Sequence, residues 1–218
     1  MQPHPEPPAT TRPEPAEAQL TEGAPAGLVE IVHRLESEKA LDGPVAVIDR
    51  LTQPLDAPGP SHVLSGAWMG HALHPLMTDF PLGAWMSATL LDLFGGRRAR
   101  PAAQGLVAFG VAAALPTVAS GLLEWRRTET PDRRVGVVHA AINSGAALCY
   151  ARSMLPRARG RGVRAAAWSV SGGLLATAGG YLGGHLSIAR KVGSRDVDLS
   201  EPRSPNGSGP HRSAVSGA

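Results

Sequence analysis

From Ala102 to Leu123 the chain carries no charged residue. A helix over such a stretch, at a rise of about 1.5 Å per residue, is about as long as the hydrocarbon core of a bilayer is thick. A helix of a soluble protein carries a polar face at every second turn, and this stretch has none. Three more apolar segments accompany it. Ala165 to Ala189 is uncharged between Arg164 and Arg190. Val135 to Ala151 is uncharged between Arg134 and Arg152, and Met154 and Leu155 extend it if Arg152 snorkels to the interface. Leu76 to Phe94 contains Asp79 and Asp92 but also Trp85. The expectation is an all-α fold: a bundle of four transmembrane helices at about 76–94, 102–124, 135–155 and 165–189. Ala and Gly dominate these segments, which suits helices packed closely on each other. Gly179 with Gly183, and Gly180 with Gly184, are small-residue pairs one turn apart. Pro116 predicts a kink in the second helix.

The flanks are of different material, which is why the mean hydropathy of the whole chain, -0.06, looks soluble. Residues 1–26 are rich in Pro, Glu and Ala and too poor in large apolar side chains to fold alone. Residues 27–60 hold two short amphipathic helices and a linker. Leu28, Ile31, Val32 and Leu35 recur at helical spacing, and Val47, Ile48 and Leu51 share a second face. These faces suit a membrane surface or a protein partner equally. The transmembrane domain takes 61–193, and 194–218 is a second disordered tail. The start has neither a basic nor an apolar leader region, so insertion is expected to use the internal helices.

Charge and cysteine usage narrow the function. The formal net charge is +3, from arginines that bracket the apolar runs, and aromatics make up 4% of residues. That is the pattern of interfacial anchors, and nucleic-acid binding is not expected. The single cysteine, Cys149, allows neither an intrachain disulfide nor a cysteine-based metal site. Residues 1–70 have no export signal, so both termini are placed in the cytoplasm of a multi-pass plasma-membrane protein.

Short connections make neighbouring helices antiparallel. His71, His74, Asp79, Glu124, His139, Asn143 and His185 then all fall near one end of the bundle. Ionisable groups at membrane depth are costly and usually paired, so several from different helices at one level form a candidate site. Either His74 or His71 with His139 could bind one haem b, and the glycines of the fourth helix would leave room. His185 and Asn143 are nearby cofactor-binding candidates. His74, His139, Asp79 and Glu124 are alternatively N/O ligands for a divalent metal such as Zn, Fe or Cu. The opposite end offers only Asp92, Cys149, Tyr150 and a rim of arginines.

The stretch from His71 to Trp85, HALHPLMTDFPLGAW, resembles the opening of the bacterial membrane family called domain of unknown function 2231, with its GH-x-LHP-x-x-x-x-FP-x-G-x-W motif. Gly121 to Trp125 is similar to that family's G-L-x-[DE]-W, His139 to Asn143 to its H-A-x-x-N, and Gly179 to Leu186 to its closing G-x-L-G-G-x-L. The resemblance covers roughly residues 60–195 and implies a helical membrane domain without implying an activity. Some similar proteins carry a Rieske iron–sulfur domain after the last helix. Such a centre needs two Cys and two His; the tail here offers His211 and no Cys, so that domain is not expected.

Three functions stay open. One is a non-catalytic membrane scaffold or subunit for a soluble or membrane partner, in contact with lipid and with homo-oligomers allowed. Another is a redox membrane protein with one bis-histidine haem and a redox partner. The last is a divalent-metal protein. Neither a Gly-x-Ser-x-Gly nor a Walker pattern is present, and an enzyme is not expected.

Overall fold

The computed structural model describes residues 26–56, 63 and 65–194. The two expected disordered tails and part of the linker lie outside them. Among the described residues six α-helices follow in order: α1 Ala26–Ser37, α2 Asp42–Thr52, α3 His74–Phe94, α4 Arg100–Trp125, α5 Thr130–Ala158 and α6 Gly162–Gly184. A single π-helical turn, His185–Ala189, continues α6. Among the described residues there is no strand. The fold is all-helical.

Local chemistry sets the helix ends. Pro75, Pro101 and Pro131 each sit in the first turn of their helix, where the missing N–H has no partner to lose. Gly96 and Gly160 take positive φ (+65° and +71°) in the turns that follow α3 and α5. That backbone disfavours any side chain, so these glycines let the chain reverse in a few residues. Pro81 lies inside α3 and cannot donate to the Met77 carbonyl. The Thr117 hydroxyl of α4 reaches that carbonyl at 3.0 Å, so an interhelical bond replaces the lost helical one.

The reversals build two hairpins, α3 on α4 and α5 on α6, which pack side by side. The interior is made of small residues around a few large ones. Trp85 stacks on Tyr150 with centroids 4.8 Å apart, among buried Ala88, Ala103 and Val107. The outward faces are apolar: Leu90, Leu115, Leu148 and Leu174, one on each helix, are 55%, 72%, 70% and 69% exposed. A soluble bundle buries such residues; here they ring the outside. One helical stretch among the described residues, Arg97–Trp125, is long and apolar enough by composition to cross a membrane. The other three bundle helices are diluted by Ala, Gly, the two aspartates of α3 and the arginines of α5.

The amphipathic helices have a partner within the chain. Val32 of α1 is buried with Val135 of α5 and Leu182 of α6. Asp42 takes two bonds from Arg134, at 2.7 and 3.0 Å, and Arg134 also donates to the Glu36 carbonyl at 2.8 Å. Asp49 accepts from the Trp125 indole at 2.7 Å and from Arg133 at 3.2 Å. The bond from Arg134 holds the Asp42 carboxyl below its usual range. Thus α1 and α2 cap the end of the bundle at which α4 finishes and α5 begins.

Candidate functional site

The expected polar cluster divides when its members are placed. His74 opens α3 and points into the bundle, where its Nδ1 lies 2.9 Å from the Thr117 carbonyl of α4. His139 lies in α5, and its Nδ1 is 2.9 Å from the Gly179 carbonyl of α6. A carbonyl only accepts, so both rings carry their proton on Nδ1. Among the described residues neither Nε2 has a hydrogen-bond partner. The two rings face each other across the bundle with centroids 6.5 Å apart and planes at 80°.

Glycines permit this approach. A methyl group at Gly121 would lie 2.8 Å from the His74 ring, and one at Gly183 would lie 2.9 Å from the His139 ring. Any side chain at either position would force its imidazole aside. Asn143, one turn after His139, donates to the His139 carbonyl at 2.9 Å, and its amide nitrogen lies 3.3 Å from Nδ1. It packs against Gly179, where an added Cβ would clash with its amide group.

The other candidates lie elsewhere. Asp79 is exposed and lines an open cavity of about 620 Å³ with His71, Pro75 and Ser187. Glu124 is buried beside Arg127, 3.3 Å away, at a second cavity of about 340 Å³ lined by Arg190 and Lys191. His185 turns toward α1 and contacts Glu36 at 3.1 Å. His71 is exposed and its Nδ1 approaches only the neighbouring Ala72 carbonyl, at 3.4 Å. Helical geometry explains the separation: Asp79 is five residues beyond His74, which turns it to the outer face of α3. Among the described residues no three His, Cys, Asp or Glu side chains converge as metal ligands. What remains of the site is a pair of imidazoles.

At the other end of the bundle Arg157 is no rim residue. Its side chain is 2% exposed and that of Asp92 is 5% exposed, and the two form an ion pair. Arg157 also donates to Ser153 at 2.9 Å and to Ser169 at 3.1 Å, and Ser169 donates to Asp92 at 2.8 Å. The pair therefore ties α3, α5 and α6 together. Just inside it, the Tyr150 hydroxyl bonds to Thr89 at 2.9 Å. Sequence reasoning placed Arg157 at the surface because arginines crowd its neighbourhood. The available signal was Ser153 four residues before it, on the same helix face.

The His, Trp–Tyr and Asp–Arg pairs share one register. His74 meets His139, Trp85 meets Tyr150 and Asp92 meets Arg157, each sixty-five positions apart. A constant separation means that α3 and α5 run parallel and in step through the whole bundle.

A family model described as "Predicted membrane protein (DUF2231)" matches residues 70–196. No curated protein and no solved structure shows significant similarity to the chain. The matched region runs from just before α3 to just beyond the π-turn and takes in both histidines and the buried ion pair. The chain belongs to the DUF2231 family of predicted membrane proteins.

Proposed function

We propose that α3 to α6 cross the membrane as a four-helix bundle, and that His74 and His139 hold one haem b between them. The ring of outward leucines on all four helices supports the spanning reading, because contact with lipid makes such a surface favourable. The observation that carries the cofactor reading is the state of the two imidazoles. Each has its Nδ1–H committed to a backbone carbonyl and, among the described residues, its Nε2 without a protein partner. This is how metal-binding histidines are oriented by their outer shell.

The donor set favours haem over a bare divalent ion. Two imidazoles meet here and, among the described residues, no third protein ligand joins them. Structural zinc needs four ligands and catalytic zinc three, whereas a porphyrin brings four of its own and needs only axial ones. With the ring centroids 6.5 Å apart, the two imidazoles are near enough that His74 and His139 would hold one such group from two different helices. Along α3 and α5 the next buried level is Pro81 and Ala146. A haem held this way supplies one-electron transfer. The protein's part is to fix both tautomers and to keep the rings in a low-dielectric interior.

The test is spectroscopic. Purified protein, from cells supplied with a haem precursor, should show a reduced-minus-oxidised spectrum of six-coordinate b-type haem. His74→Ala and His139→Ala should each lose it, and His185→Ala should keep it. Protein that carries no haem under those conditions would remove this reading. The scaffold reading would then stand, supported by the amphipathic helices: Ile31, Val47 and Leu51 stay 52%, 55% and 73% exposed after α1 and α2 have docked.

A further inference from the structure

The two hairpins repeat each other contact by contact. In the first, the His74 ring rests on Gly121 and bonds to the Thr117 carbonyl. In the second, the His139 ring rests on Gly183 and bonds to the Gly179 carbonyl. Three turns deeper, Trp85 packs on Gly110 and Tyr150 packs on Gly172. Near the far end Ala103 and Ala165 are both wholly buried. One shift maps α3 onto α5, sixty-five positions, and one shift maps α4 onto α6, sixty-two positions. The difference of three is taken up in the turns.

The contacts between the hairpins obey the same mapping. Across α3 and α5 each residue of the three layers meets its own equivalent: His meets His, Trp meets Tyr, Asp meets Arg. Self-equivalent contact is what a twofold axis produces, as at an isologous dimer interface. Here the axis runs parallel to the helices, between α3 and α5. Fused copies related in this way, by an axis along the membrane normal, recur among membrane proteins.

We infer that α3–α4 and α5–α6 are two copies of one hairpin unit, that the inner face of each is a docking surface for the other, and that Asp92–Arg157 is the lock that makes one copy choose the other. An axis sets like against like. Two identical copies would bury Asp against Asp or Arg against Arg, and two like charges in a dry interior repel. Opposite charges at the equivalent positions remove the repulsion only when unlike copies meet. The lock's polar shell is likewise one-sided. Ser153 serves Arg157, and its equivalent on α3 is Ala88; both positions are wholly buried. The inference stands whether or not the axis holds a cofactor.

Equivalence of the halves makes a demand that a purely local ion pair does not: the arginine should work from either half, provided both of its serines move with it, Ser153 to position 88 and Ser169 to position 107, where the wholly buried Val107 is its equivalent on α4. The test uses the full chain in detergent, with Cys149→Ala and cysteines at 81 and 146, the equivalent positions one level inside the histidines. A short crosslinker should join them efficiently. Asp92→Arg or Arg157→Asp alone should cut the yield about tenfold, because each leaves like charges buried on the axis. The charge exchange Asp92→Arg with Arg157→Asp should recover part of it. Adding Ala88→Ser with Ser153→Ala and Val107→Ser with Ser169→Val, which moves both serines to the other half, should bring it back to within about twofold of the parent and restore the thermal midpoint. No crosslink in the parent overturns the register. Undiminished yield in the single variants overturns the lock. A variant with all six changes that is no better than Asp92→Arg overturns the equivalence of the halves.

Discussion

Removing the Asp92 carboxylate should be among the most damaging single changes in the bundle. The carboxylate accepts from the Arg157 guanidinium and from the Ser169 hydroxyl, and all of these atoms are withdrawn from solvent. In Asp92→Ala the guanidinium keeps only the neutral oxygens of Ser153 and Ser169, at 2.9 and 3.1 Å. Stripping one partner from a buried pair costs about 3–5 kcal/mol, most of it from the charge left behind. Asp92→Asn keeps the shape and an acceptor oxygen, so it should cost less, about 1.5–3 kcal/mol, the scale of a bond to a charged group. The decisive control is Asp92→Leu with Arg157→Met, which removes the pair without stranding a charge. That double change should lie within about 1 kcal/mol of the parent or above it, since apolar replacements of buried pairs are often neutral or stabilising. Reversible unfolding in mixed micelles, followed by circular dichroism, reads all three. An Asp92→Ala loss below about 1 kcal/mol would mean that Arg157 finds water or lipid headgroups when its partner goes, and the dry-interior reading of that end would be wrong.

Three further outcomes follow from other contacts. Gly172→Ala puts a methyl 2.8 Å from the Tyr150 ring and 3.2 Å from the Ala146 carbonyl, so it should destabilise by about 1–3 kcal/mol through overpacking, read by the same unfolding assay. Gly183→Leu should displace the His139 ring and abolish any haem spectrum with the bundle still folded, whereas Gly180→Ala, where a Cβ meets nothing within 4 Å, should leave the spectrum intact. The docking of α1 and α2 should be pH-dependent on the acid side. The Asp42 carboxyl is depressed in the folded state, so its contribution is complete above its unfolded pKa of about 3.9 and fades as pH falls through the lower folded value; hydrogen-exchange protection factors in residues 26–52, corrected for the intrinsic rate at each pH, should fall below about pH 4 and stay flat from pH 5 to 8.

How much of this was legible in the residues depended on which rule governed them. The all-helical fold was legible because uncharged runs such as Ala102–Leu123 admit little else. The His74–His139 pair was half legible: topology placed both at one end, but depth alone could not separate them from Asp79 and Glu124. Rotation about the helix does that, and a five-residue offset is enough to turn Asp79 outward. The partner of α1 and α2 was hidden because an amphipathic face fits lipid and protein alike. It was the charges beside that face, Asp42 and Asp49 against Arg134 and Arg133, that chose α5.

The buried ion pair was hidden for a different reason. Asp92 and Arg157 each read as an end-of-helix residue at an interface, and nothing local to either one distinguishes a snorkelling charge from a buried one. The distinction lies in the relation between the halves. Had α3 been aligned on α5 by their histidines, His74 on His139, Trp85 would have fallen on Tyr150 and Asp92 on Arg157. Two aromatics and two opposite charges at equal intervals from two histidines are the residue-level trace of helices that face each other along an axis. A soluble four-helix protein seldom leaves so plain a trace, because its core is filled by interchangeable leucines. In this chain the core is mostly Ala and Gly, so the few large or polar side chains carry the register. The same three layers that hold the bundle together are the ones in which its halves can be compared.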